Sequence, residues 1–134
     1  MFFVVKRATL LIESGPANDP SRKHLFVCLT DVSGPDKETL MVSVSTWRAG
    51  FDVDDTCHLF AGDHVFIKHK SFIDYRNARI VEADKLIKGE RQGLFVAMDA
   101  LESSVFARVC YGLEKSPFTA PKHLKFYQRA TGHK

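Results

Sequence analysis

At 134 residues, 45% hydrophobic and 26% charged, the chain has the length and composition of one soluble domain with a sizeable core. No apolar run approaches a membrane span, and Lys6 and Arg7 follow the apolar start at Phe2 rather than precede it, the wrong order for export. The three cysteines, Cys28, Cys57 and Cys110, are widely spaced and form no CxxC, which argues against a disulfide framework and for a reducing, cytoplasmic setting.

In chain order, residues 2–12 are dense in strand formers and read as an N-terminal strand. Residues 13–22 form a loop broken by Gly15-Pro16 and Asp19-Pro20. Residues 24–46 then hold two β-rich runs around the turn cluster Ser33-Gly34-Pro35-Asp36, a β-hairpin. A tip centred on Pro35 would set His24 opposite Thr46, Phe26 opposite Val44 and Cys28 opposite Val42. An imidazole and a hydroxyl would then meet at the open end of the hairpin, beside Arg22 and Lys23.

After an acidic loop, residues 56–60 and 64–68 read as two short strands, and residues 71–75 and 78–81 continue the β-rich pattern. Residues 82–88 form a short helix or turn ended by Gly89. The clearest helix spans residues 99–113, with Asp99 as N-cap, Glu102 three residues on, and Leu101, Val105, Val109 and Leu113 at four-residue spacing. Residues 1–115 are thus expected to form a single small β-barrel domain of α+β type with one main C-terminal amphipathic helix. Residues 116–134 form a basic extension, a peripheral arm or a partly disordered tail.

The net charge is only +3, but it is unevenly spread. Residues 115–134 carry five Lys or Arg and no acid, and Lys68, Lys70, Arg76 and Arg79 stand against Asp74 alone. Such surfaces attract phosphate, although solvated basic faces are common.

Four constellations carry candidate chemistry. Arg22, Lys23, His24 and Thr46 supply a titratable base, cations and a hydroxyl, the residue types that RNA cleavage needs; the plain alternative is a polar pair at a barrel rim. Cys57, His58, His64 and His69 are zinc-ligand types at spacings that match no zinc pattern, so no metal or other cofactor is assigned. Lys68, His69, Lys70 and Ser71 with Tyr75, Arg76 and Arg79 suit a single-stranded nucleic acid, or equally a solvated strand edge. Phe118, Phe126 and Tyr127 among the tail cations could touch a partner or tie the tail to the body. Phosphate-loop, dinucleotide, hydrolase-elbow and zincin motifs are absent.

The order of these features resembles the PemK/MazF-like toxin family of toxin–antitoxin ribonucleases. Arg22-Lys23-His24-Leu25 leads into a strand, the run from Met41 ends in Thr46, Ser71 to Ile80 is similar to the family's later strand, and an amphipathic helix closes the pattern. The resemblance implies an SH3-like barrel, a homodimer, an antitoxin partner and metal-independent cleavage of single-stranded RNA to a cyclic phosphate and a 5′-hydroxyl. It makes Thr46 a phosphate contact and places Arg79 beside the RNA groove, while His24 stands where the family has its catalytic Arg. On this reading His24 is general base or acid, Arg22 and Lys23 stabilise charge, and Thr46 holds the scissile phosphate. His64, His69, Ser71, Tyr75 and Arg79 would line the groove. The alternatives are a non-catalytic nucleic-acid-binding barrel module and a protein–protein adaptor.

Overall fold

The computed structural model describes residues 2–15, 17–19 and 21–132. The two β-rich runs around the turn cluster pair as β2 (Lys23–Cys28) and β3 (Glu38–Thr46). Around them lie β1 (Thr9–Glu13), β4 (His58–Leu59), β5 (Ser71–Glu82) and β6 (Phe95–Met98). The six make one curled antiparallel sheet, a half-barrel in the order β4-β5-β3-β2-β1-β6.

The hairpin register differs from the expectation by one residue. Leu25 pairs with Val44, Phe26 with Ser43, Val27 with Val42 and Cys28 with Met41. The cause is local. Ser33 bridges to Glu38 at the tip, yet Leu29 bonds Leu40, so residues 30–32 loop out of the ladder. Thr30 compensates: its hydroxyl accepts from the Leu40 N–H at 3.3 Å and its carbonyl accepts from the Thr39 hydroxyl at 2.8 Å. The shift puts Leu25, Val27 and Leu29 on one face with Val44, Val42 and Leu40, apolar against apolar.

Each sheet face has its own core. The first face joins those six residues to Ile73 and Tyr75 under α2 (Ser103–Lys115), through Val105, Val109 and Leu113, and under Tyr127 of α3 (Pro121–Thr131). The second face packs Leu10, Ile12, Phe26, Cys28 and Met41 under Val4 and under Ala83 and Leu86 of α1 (Ala83–Arg91). Among the described residues a third helix joins the expected main helix and the short helix or turn expected over residues 82–88. The basic extension folds as α3, opened by Pro121 and closed by Gly132 at φ 76°, and it packs on the body through His123 and Tyr127.

Other boundaries moved for identifiable reasons. The ladder starts only at Thr9, because Arg7 sits at φ 78° and Ala8 bonds Val5 in a turn. Residues 64–68 form a turn rather than a strand: His64 accepts from the Phe66 N–H on Nδ1 and from the Ile67 N–H on its carbonyl. Glu102, not Asp99, caps α2, its carboxylate accepting from the N–H groups of Ser104 and Val105. Asp99 instead offers its carbonyl to the Thr9 hydroxyl and the His64 ring, both at 2.7 Å. Gly89 lies inside α1 rather than ending it, and the Phe95 ring occupies the space a Cβ would take there.

Gly112 marks a close approach of α2 to Tyr75 of the sheet. A Cβ there would run into the Tyr75 hydroxyl and come within 3.1 Å of the Cys57 Cβ. Gly112→Ala should therefore lower stability by about 1–3 kcal/mol, despite the better helix propensity of alanine. Chemical denaturation checks this; an unchanged or higher midpoint would show that the contact has slack.

Candidate functional site

Two strand ends and one turn converge at the open end of the hairpin. The loop before β2 is pinned by the Ser14 N–H donating to the Arg22 carbonyl at 2.8 Å, which delivers Arg22 and Lys23 to the end of the sheet. Across the sheet, Thr46 closes β3 against Ser71 of β5. The turn that replaces the expected strand brings Lys68 and His69 alongside, and the Ser71 hydroxyl bonds the His69 carbonyl at 2.9 Å. Lys70 holds its ammonium 4.4 Å from the centre of the Trp47 ring.

A cavity of 340 Å³ opens between the two strand ends and the turn. Arg22, Lys23, Lys68, His24 and His69 line it, with the hydroxyls of Thr46 and Ser71 and the apolar floor of Val44 and Ile67. No carboxylate lines it, and no ion pair among the described residues neutralises its cations. A concave wall of one sign focuses positive potential, so the cavity favours an anion.

His24 is the one imidazole of the cavity with a fixed ring. Its Nδ1 lies 2.7 Å from the Ser14 hydroxyl, which also donates to the Ile12 carbonyl at 3.2 Å. A serine has one proton, so both bonds form together when Nδ1–H donates to Ser14. That tautomer leaves Nε2 with its lone pair, and Nε2 has no partner among the described residues. Burial, then the nearby Arg22, push the His24 pKa below the ordinary 6.5; Asp74 opposes this and Arg79 adds to it. A neutral ring with a free acceptor nitrogen is a base.

Six of the nine residues singled out in the sequence reach this wall: Arg22, Lys23, His24, Thr46, His69 and Ser71. The expected pairing of His24 with Thr46 does not occur. The one-residue shift in register gives Thr46 the face of Val44 and Leu25, whereas His24 shares the face of Phe26 and Cys28. The hydroxyl bonded to His24 belongs to Ser14, brought there by the β1–β2 ladder, in which Ile12 pairs with His24.

Three residues lie elsewhere. His64 is buried, and both ring nitrogens are engaged in holding backbone. Tyr75 is fully buried in the first core, its hydroxyl donating to the Val109 carbonyl at 2.6 Å. Arg79 stands off the cavity with its guanidinium 4.9 Å from the Phe26 ring centre, on the same face as His24. Neither Ser14 nor Asp74 stood among the expected site residues. Both are ordinary surface-type residues that only the ladder and the irregular stretch of β5 beyond Asp74 carry towards His24.

Among the described residues no three His, Cys, Asp or Glu are grouped to hold a metal ion, and no helix is long and apolar enough to cross a membrane. All three cysteines are free. No protein-family model, curated protein or solved structure matches this chain.

Proposed function

We propose that the cavity at the end of the hairpin binds the backbone of single-stranded RNA and that His24 cleaves it without a metal ion. One observation carries this reading: a cavity lined by three cations, two imidazoles and two hydroxyls, with no carboxylate, contains a half-buried neutral imidazole with a free nitrogen. In the cleavage step the His24 Nε2 takes the 2′-OH proton, and the 2′ oxygen attacks phosphorus. The bond to the 5′ oxygen breaks, and that oxygen is protonated by the second imidazole of the cavity, His69. Lys23, Arg22 and Lys68 offset the charge that builds on the phosphorane oxygens. The products are a 2′,3′-cyclic phosphate and a 5′-hydroxyl.

The curled antiparallel sheet with closing helices supports a barrel of the SH3-like kind, while a place among toxin–antitoxin ribonucleases is supported only by the order of motifs along the chain. That reading carries with it a homodimer and an acidic antitoxin in the cytoplasm. A second reading, a non-catalytic nucleic-acid-binding module, is favoured by the register that turns His24 and Thr46 to opposite faces.

Incubating the purified protein with single-stranded RNA and a chelator separates the two. Cyclic-phosphate ends support the enzyme, and binding without products supports the module. Either way log affinity should fall linearly with log salt, and the double change Lys23→Ala with Lys68→Ala should flatten the slope by about 1.4 if each lysine meets one phosphate. A salt-independent affinity would remove both readings.

A further inference from the structure

A second cavity, of 440 Å³, opens at the other end of the β3–β5 ladder, where Glu38 pairs with Glu82. The strand from Glu38 to Thr46 separates the two ends by about 26 Å at the usual rise per residue. Arg79, Lys85, Lys122 and His123 line it, together with the carboxylates of Glu38 and Glu82. The three cations are exposed, and none enters an ion pair among the described residues.

Lys122 and His123 occupy the first turn of α3, and that turn departs from the usual chemistry of helix starts. Its N-cap, Ala120, makes no side-chain bond to the free N–H groups, and no acid stands in the first turn. The start of a helix carries orphan donors and partial positive charge, which capping oxygens and acids normally answer. Here a lysine stands instead. Pro121 has no N–H to satisfy, and the N–H groups of His123 and Leu124 bond the Ala120 carbonyl at 3.0 and 3.1 Å, which leaves the Lys122 N–H as the open donor of this turn among the described residues.

His123 is the independent observation. It is only 6% exposed, it lines this cavity, and its Nδ1 is buried without a hydrogen-bond partner. Buried polar atoms are almost always paired, so an orphaned ring nitrogen beside a cavity calls for an explanation. Burial, then Lys122, push its pKa below 6.5, which keeps the ring neutral near pH 7 with one nitrogen able to donate.

We propose that this cavity is a second anion site that takes the phosphate of a nucleotide. The phosphate oxygens accept from Lys85, Lys122 and Arg79, from the Lys122 N–H at the start of α3 and from His123 Nδ1–H. Glu38 and Glu82 would repel a bare anion but accept hydrogen bonds from sugar hydroxyls or a base amino group, which selects a nucleotide over inorganic phosphate. The phosphate belongs either to a free nucleotide or to the end of an RNA strand. The site stands whether or not His24 cleaves RNA.

The test follows the histidine ring signals of the full-length protein by NMR, with His123 assigned by its loss in His123→Gln. Inorganic phosphate, adenosine monophosphate, and a single-stranded tetranucleotide with and without a 5′-phosphate are titrated in turn. The expected result is a saturable shift of His123 with the mononucleotide, reached at roughly 10-fold lower concentration than with inorganic phosphate. The double change Lys85→Ala with Lys122→Ala should weaken it roughly 10-fold or more, as loss of charge-assisted bonds does. A response to the 5′-phosphorylated tetranucleotide alone assigns the phosphate to a strand end. The proposal is overturned if His123 does not move with any phosphate ester, if it moves equally in the double variant, or if only His24 and His69 respond. Movement of His123 in a protein that leaves RNA intact sinks the ribonuclease reading and keeps this one.

Discussion

His24→Ala should lower the rate of RNA cleavage by ~10²–10⁴-fold while leaving the fold in place, the range typical for loss of one positioned acid or base. The loss is confined to chemistry because the ladder bonds that pair His24 with Ile12 are made by backbone. The ring is only half-buried, so its removal opens little space in either core. Binding should change far less than rate, since Arg22, Lys23 and Lys68 remain on the cavity wall.

The same group predicts a pH profile. The active form is the neutral ring, and burial with Arg22 lowers its pKa, so cleavage should fall on the acid side with a midpoint below 6.5. Stability follows the same sign. The unfolded ring takes a proton more readily than the folded one, so the His24 contribution is present above pH 6.5 and is lost as the pH drops through the folded pKa. A single-turnover assay across pH, with circular dichroism to confirm folding, reads both. Undiminished cleavage by a folded His24→Ala protein would remove the catalytic role.

Tyr75→Ala should cost about 3–5 kcal/mol, enough to unfold a large share of a marginally stable domain. Tyr75 is fully buried, packs in the first core and donates its hydroxyl to Val109 of α2. Truncation empties space that α2, crossing at Gly112, has been shaped to meet. Tyr75→Phe keeps the ring and loses one buried hydrogen bond, so it should cost only about 1 kcal/mol and leave RNA affinity unchanged. Equilibrium denaturation of both variants with an RNA-binding measurement on Tyr75→Phe decides between core and groove. Weakened RNA binding by a stable Tyr75→Phe protein would return this residue to the surface role first expected of it.

Local chemistry was legible wherever it was also decisive. The hairpin announced itself through two β-rich runs around Gly34 and Pro35, and the four-residue spacing from Leu101 to Leu113 announced α2. The register could have been read too. Leu25, Val27 and Leu29 match Leu40, Val42 and Val44 face for face, a stronger constraint than the centre of the turn. The loop-out at Thr30 is what separates the two answers, and it is stabilised by a hydroxyl bonding across to β3. Residues 94–98 are all apolar, yet strand β6 is not legible from them, because a four-residue edge strand exists only by pairing with β1.

By itself the sequence determined an α+β chain with a central hairpin, an amphipathic helix behind it and basic clusters around residues 22–24 and 68–70, because periodicity and turn chemistry act over a few neighbouring residues. Only the tertiary structure decided which of the chemistry-bearing residues meet: it sank Tyr75 and His64 into the interior, gave His24 the hydroxyl of Ser14, and folded the basic tail into a helix. The reason is physical. A face along a strand is set by alternation within that strand, but the neighbour across the ladder is set by a register that one looped-out segment shifts for every residue beyond it.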